Sequence, residues 1–520
     1  MAVAATAEPT ERTCGANARV RHRPEETVLH QTLSSHFEEF AERAEEAGGL
    51  PEFVLTEVRE YLRCGLLEFG LLHCRCQRCG HDEVCAFSCK RRGFCPSCLG
   101  RRMTDTALNL VERVLPDGVP VRQWVCSLPW RLRVLCGYDS ALCADVMKAF
   151  EKEVSRSLRH RAKEALRLGS VEQAHTGSVL FIQRFDSALR LNVHGHLLSL
   201  DGVYVRGTDG ALVFRELVEP SAEDVAEVAR RTAMRLVKVL KKHGREVDPE
   251  LSEVDVSADE SAEHSALSAC YAAASAGTDL FGERAGSPAL RLVDPSSARP
   301  HEPVAIAYGV NVHAAVRVHG NDRAQIERLC RYLGRPPIAQ ERLTRTDDGR
   351  LRYELKRAWK DGTHAVILSP LDLCARVCAL IPRPGFNMIR YYGCLSSHSS
   401  LRKEVVPEPA AGVHNPLLED DSEQLELGFD GLDRGGDDSD EPESSGKRRP
   451  WAWLLRHVWQ VDVSTCSRCG GAMKWVEVAT EPDAIARVLA ELEHPQRDSG
   501  RRRPRQRGRP PPEQLRLGFG

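Results

Sequence analysis

The sequence predicts an α+β protein in three parts: a helical, cysteine-rich N-terminal module, an antiparallel sheet flanked by helices, and a small C-terminal module on a disordered linker. Three observations predict it. Apolar residues recur at helical spacing over 27–63, where Phe37, Phe40 and Ala44 are followed by Phe53, Val54, Val58, Tyr61 and Leu62. Strand-like runs at 121–128, 178–185, 191–205 and 308–320 alternate with helical patterns, and the short turn Asp186-Ser187-Ala188 makes the second and third an antiparallel hairpin. Residues 407–449 are acidic and contain much Gly, Ser and Pro, the composition of a linker.

In chain order, residues 1–25 are small, polar and unpatterned, and read as disordered. The helical pattern of 27–63 breaks at Gly48-Gly49 and Pro51, which gives two helices. A further helix closes at Pro116. The strand 121–128 stops at Pro129, and a long amphipathic helix, dense in Arg and Lys, covers 138–168. Another helix spans 221–243, and 244–300 carries little pattern. The strand at 308–320 leads into a helix over 322–334, stopped by Pro336-Pro337. A hairpin turns at Asp347-Asp348-Gly349, and mixed elements continue to 406. The C-terminal module is 450–494, and 495–520 is an Arg/Pro-rich tail.

Composition excludes several classes. With 42% apolar and 28% charged residues the chain is neither disordered nor membranous, and no apolar run is long enough to span a bilayer. The N-terminus lacks an apolar signal core, so the expected location is the cytoplasm, associated with the nucleoid. The net charge of −2 conceals opposed blocks: 419–443 holds twelve acids and one Arg, and 497–509 holds seven Arg and one Asp. No phosphate-binding G-x-x-x-x-G-K-[ST] loop and no G-x-S-x-G elbow is present.

Eight of the 19 cysteines lie between Cys64 and Cys98. In a reducing compartment such clusters read as metal sites rather than disulfides. Cys76-x-x-Cys79 and Cys95-x-x-Cys98 are separated by fifteen residues, the spacing of a structural zinc site of four thiolates. Cys64, Cys74, Cys85, Cys89 and His81 are within sequence reach; of these Cys64 and Cys89 are the added candidates, and a second zinc is compatible. Arg91, Arg92, Arg101 and Arg102 flank the second pair and suit phosphate backbones; a merely solvated face is the alternative. Cys466 and Cys469 form a lone pair that cannot fill a zinc shell by itself; His457 is the nearest extra ligand.

The stretch LNVHGHLLSLDGVYV, 191–205, centres on His194-Gly195-His196. On a strand, His194 and His196 stand on one face and can share one metal ion. Gln183 or His313 is the candidate third ligand; Asp201 would face the other way. Tyr332, in ERLCRYLGRPP, is the candidate nucleophile, with Arg331 and Arg335 placed for phosphates. A tyrosine attacking a phosphodiester conserves the bond energy as phosphotyrosine and needs no ATP. The repeat EQLELGF (423–429) and EQLRLGF (513–519) is either a docking motif used twice or a duplication without consequence.

FSCKRRGFCPSC (87–98), VRQWVCSLPWRLR (121–133), FIQRFDSALRLNVHGHLLSLDGVYV (181–205), NVHAAVRVHGNDRAQIERLCRYLGRPP (311–337) and VDVSTCSRCGGAM (461–473) together resemble a known family. The chain is similar to rolling-circle insertion-sequence transposases of the HUH (His-hydrophobic-His) tyrosine endonuclease superfamily, in the single-tyrosine common-region subgroup. The resemblance implies a zinc-binding DNA-contact domain at 27–116 and an HUH-nuclease-like domain at 117–406. It implies nicking and rejoining of single-stranded DNA at element ends through a 5′-phosphotyrosine on Tyr332, assisted by Mg²⁺ or Mn²⁺ on His194 and His196. The implied partners are DNA ends and target DNA, with no membrane; a homo-oligomer is left open. Two departures stand out. Gly195 replaces the usual bulky middle residue and is expected to loosen the strand and leave a gap. Pro336 occupies the place of a second tyrosine. The alternatives are a catalytically decayed zinc-dependent DNA-binding protein and a nicking enzyme of the replication-initiator or relaxase type.

Overall fold

A computed structural model describes residues 23–245, 265–297, 305–406 and 465–493. The linker 407–449, the tail 495–520, both copies of the EQLxLGF repeat, His457 and nearly all of 1–25 lie outside the described residues. Helices α1 (Val28–Glu45) and α2 (Glu52–Arg63) form as expected. Thr27 caps α1 by accepting the His30 N–H. Gly48 and Gly49 make the break with φ of 86° and 74°. The stripe Leu29, Leu33, Phe37, Phe40 of α1 and Val54, Val58, Tyr61 of α2 are buried in the main core. Strands β1 (Leu71–Cys76) and β2 (Asp82–Ala86) pair antiparallel, and α3 (Pro96–Arg113) follows, its Pro96 in the first turn.

The central region starts with β3 (Val121–Ser127). The helix expected over 138–168 forms as α5 (Ser140–Leu166), and a further short helix, α4 (Trp130–Tyr138), precedes it. Asp139 separates them because its carboxylate accepts the N–H groups of Ala141 and Leu142, which fixes an extended N-cap there. Then come β4 (Gly177–Phe185), β5 (Leu191–Leu200), β6 (Gly202–Arg206), β7 (Leu212–Glu216), α6 (Ala222–Lys242) and α7 (Ser265–Ala276). After β8 (Leu290–Val293) and β9 (Ala305–Ala307), β10 (Val310–Val318) leads to α8 (Arg323–Leu333). Strands β11 (Leu343–Arg345), β12 (Leu351–Glu354) and β13 (Thr363–Leu368), helix α9 (Pro370–Leu380) and β14 (Ile389–Gly393) complete it. Six strands form one antiparallel sheet in the order β14-β4-β5-β3-β10-β9.

The single strand expected over 191–205 ends at Leu200. Asp201 leaves the ladder to hold Arg122 and Arg317, and β6 pairs with β7 instead.

Strand alternation sorts the sheet into two faces. Trp124, Cys126, Leu180, Ile182, Val193 and Leu197 share the core of α5 residues Met147 and Phe150. Val121, Val179, Phe181, Leu198 and Leu200 pack with Ala107 and Leu110 of α3 and Ile326, Leu329, Cys330 and Leu333 of α8. His194 and His196 belong to the α8 side, because Phe181 lies opposite His196 in register.

Gly195 points to the other side, and the expected gap does not exist. A Cβ there would sit 2.8 Å from the Met147 Sδ and 3.3 Å from Leu180 Cδ1. Met147 already fills the space, so α5 docks where a bulky residue would stand.

The C-terminal segment was expected as a separate module over 450–494. Its described part, β15 (Met473–Ala479) and α10 (Pro482–Glu493), instead joins the N-terminal domain. β15 pairs antiparallel with β1 in a sheet of order β15-β1-β2, over a small core of Leu71, Ala479, Ile485 and Val488. Among the described residues, no helix is long and apolar enough to cross a membrane.

Candidate active site and metal centres

Strand β5 carries the histidine pair in the interior of the sheet, with β4 on one side and β3 on the other. The two Nε2 atoms face each other at 3.0 Å. At metal–nitrogen distances of about 2.1 Å this separation subtends an angle of roughly 90°, that of neighbouring ligands in an octahedron. His194 Nδ1 lies 2.7 Å from the Asn192 carbonyl, so it donates there and leaves the Nε2 lone pair free. His196 Nδ1 lies 2.7 Å from the Gln123 side-chain amide. Burial, with the Arg335 and Arg133 charges adding, pushes His194 down to about 4. Burial likewise holds His196 well below the usual imidazole range, and the neighbouring His194 and Arg335 add to it. Both rings are therefore neutral at pH 7, the form that binds metal.

Gln183 sits opposite His194 on β4. Its Nε2 donates to the carbonyls of Tyr332 (3.4 Å) and Leu333 (2.8 Å), which ties the end of α8 to the sheet. Its Oε1 is buried without a hydrogen-bond partner. A buried orphan acceptor on the register neighbour of His194, on the face that carries both imidazoles, fits a cation. His313 pairs with Val125, which pairs with His196, so β3 stands between the two histidines. That is two strand spacings, about 10 Å. Asp201 is buried in its ion pairs with Arg122 and Arg317.

Asp322 caps α8 by accepting the Gln325 N–H, and Gly334 ends the helix before Pro336. This places Tyr332 on the exposed edge of the site, with its ring edge-on to His196 at 6.2 Å between centroids. The Arg335 guanidinium lies 4.3 Å from the Tyr332 ring centroid, and Lys356 Nζ lies 4.9 Å from it. Arg331 is instead bound to Glu327 one turn back. Sequence reasoning missed Lys356, which reaches the site from the loop after β12; no periodicity marks it. Trp359 in the same loop hydrogen-bonds Ser187 in the β4–β5 turn and stacks under Arg190.

Among the described residues, eight cysteines form two clusters of four, and their grouping differs from expectation. Cys76 and Cys79 do not join Cys95 and Cys98. One cluster is Cys64, Cys89, Cys95 and Cys98; the other is Cys76, Cys79, Cys466 and Cys469, with all sulfurs in each within 4.8 Å of one another. The physical reason is the β1–β2 hairpin, which carries Cys76 and Cys79 away from the N-terminus of α3, where Cys95 and Cys98 sit beside Cys64 at the end of α2. In the first cluster Cys98 Sγ is 3.8 Å from Cys64 and 3.4 Å from Cys89. Four thiolates around zinc at about 2.3 Å stand about 3.8 Å apart, so the donor set and spacing suit structural zinc. The Arg101 guanidinium donates to Cys98 Sγ, and Arg102 donates to the Lys90 carbonyl. Arg92 and Arg102 are exposed, Arg91 and Arg101 half-buried.

A transposase family model matches residues 177–403, and a model of a transposase zinc-binding domain matches residues 32–128. The chain is thus similar to transposases of the IS91 type in both its cysteine-rich and its central region. The transposase for insertion sequence element IS801 of Pseudomonas savastanoi pv. phaseolicola is 26% identical over 359 residues, covering 68% of this chain and 72% of that protein. No solved structure matches with significance. The region matched by the zinc-binding model contains the whole first cysteine cluster. His194, His196, Gln183 and Tyr332 all fall within the matched transposase region.

Proposed function

We propose that this transposase nicks and rejoins single-stranded DNA at element ends through a covalent 5′-phosphotyrosine on Tyr332. The observation that carries the reading is the convergence of the two histidine Nε2 atoms, the orphan Gln183 Oε1 and the exposed Tyr332 ring on one face of the sheet. His194, His196 and Gln183 would hold Mg²⁺ or Mn²⁺. When bound, the cation supplies Lewis-acid polarisation of the scissile phosphate.

The Tyr332 hydroxyl oxygen attacks phosphorus, its proton leaving to solvent. An O–P bond forms to tyrosine, the bond from phosphorus to the 3′ oxygen breaks, and that oxygen takes up a proton. Attack by another 3′ hydroxyl reverses these steps and rejoins DNA. Arg335 and Lys356 put positive charge beside the tyrosine, where phosphate charge must be held. Gln183 fixes the end of α8, so the nucleophile is positioned by the sheet that carries the histidines. Arg91, Arg92, Arg101 and Arg102, at the rim of the first cysteine cluster, would grip backbone phosphates.

The reading is tested by incubating the chain with single-stranded DNA bearing an element end and Mn²⁺. Wild type is expected to yield a denaturant-resistant adduct, and His194→Ala/His196→Ala is expected to lose it. An adduct of unchanged yield in that double variant overturns the metal role.

A further inference from the structure

We infer that Cys76, Cys79, Cys466 and Cys469 form a second zinc centre, shared by the two ends of the chain, which clasps the C-terminal segment onto the N-terminal domain. Neither matched family region contains Cys466 or Cys469. Cys76 Sγ lies 3.5 Å from Cys469 and Cys79 Sγ 3.7 Å from Cys466. These values are near the spacing of about 3.8 Å for a four-thiolate zinc and far from the disulfide bond length of about 2.0 Å.

The two halves are built alike. Cys76-Gln77-Arg78-Cys79-Gly80 matches Cys466-Ser467-Arg468-Cys469-Gly470 in sequence. In each, the first cysteine's N–H donates to the carbonyl five residues on, at 2.8 Å, and the glycine N–H donates back to the first cysteine's carbonyl. Both glycines adopt positive φ, 70° and 69°. In each half a backbone N–H two residues past a cysteine points at its sulfur: Arg78 to Cys76 and Gly471 to Cys469, both 3.4 Å. Such N–H groups stabilise thiolates.

The halves also fit against each other. A Cβ on Gly471 would lie 2.6 Å from Arg78 Cβ and 3.1 Å from Cys76 Sγ, so only glycine permits the approach. The Arg78 guanidinium donates to the Cys469 carbonyl, and Ser467 donates to Glu83 through its N–H and its hydroxyl. Cys79 and Cys466 are 387 residues apart, so their shared ion closes the greater part of the chain, including the region matched by the transposase model, into one loop. The strand pair β1–β15 continues directly from this cluster.

The test measures zinc per full-length chain, purified under reducing conditions, together with amide exchange in β15. Wild type should hold two zinc equivalents, and Cys466→Ser/Cys469→Ser should hold one. In that variant the β15 amides should exchange at least tenfold faster while β5 stays protected, which shows that the rest of the chain is folded. One equivalent in wild type, two retained in the variant, or disulfides joining these cysteines overturns the site. Loss of one zinc with β15 exchange unchanged overturns the clasp.

Discussion

At Gly195 the sheet takes its helix neighbour through the place of a missing side chain: Met147 and Phe150 of α5 press against a strand position that has no Cβ. Gly195→Val, which restores the hydrophobic residue usual between such histidines, should therefore destabilise this chain by about 1–3 kcal/mol. Combining it with Met147→Ala should recover part of that loss in thermal unfolding; simple additivity would contradict the packing argument. Glu151, on the same helix, is buried, and burial raises its carboxyl to about 7 against the weaker opposing pull of Ser178. A raised carboxyl favours the folded state while protonated, so this contribution is present below its ordinary value near 4.5 and lost as pH rises through 7. Glu151→Gln should match wild type at pH 4 and exceed it at pH 8 by on the order of 3 kcal/mol, read as a higher Tm; equal Tm values at pH 8 would contradict the assignment. That His194 and His196 share one face of β5 was legible in the sequence, because the strand period fixes where side chains point, whereas Tyr332 was singled out by its motif. The fitness of Gly195 was not legible, because Met147 reaches it from a helix distant in sequence.

Among the elements, β5 owes its end to Asp201. The buried Arg122 guanidinium takes both Asp201 oxygens, and Arg317 takes a second bond to one of them, joining β3, β5 and β10 where β5 ends. Asp201→Ala takes the buried carboxylate from Arg122, which keeps only the exposed Glu219 and the Ala314 carbonyl of its partners, and should cost about 3 kcal/mol, seen as a lowered Tm. A loss under 1 kcal/mol would show that the network carries little weight. Most elements were legible because proline, glycine and capping residues punctuate them: Pro51, Pro129, Asp322 and Pro336 mark boundaries that the structure keeps. Helix α4 was missed because WRLRVLCGY alternates apolar and charged residues without a clear helical stripe. Helix α7 was missed for another reason. Leu267, Cys270, Tyr271 and Ala274 form its buried stripe, but the sequence SALSACYAAASA gives the stripe little contrast with its small outward residues.

Over the whole molecule, the order of modules was legible but their assembly was not. Two C-x-x-C pairs near each other in sequence suggested one zinc shell, whereas the hairpin divides them between two clusters. The signal that could have revealed this was the match of CQRCG to CSRCG across the chain, two half-sites of equal build. The nuclease-like sheet lies in sequence between these half-sites, with the tyrosine helix on one face and α5 on the other. The catalytic reading rests on that placement. Its most direct measurement is mass-spectrometric mapping of the peptide that stays joined to single-stranded element-end DNA after reaction in Mn²⁺. The account predicts a nucleotide on Tyr332 and no adduct from Tyr332→Phe of unchanged Tm. An adduct on another residue, or cleavage of equal yield by Tyr332→Phe, would contradict it.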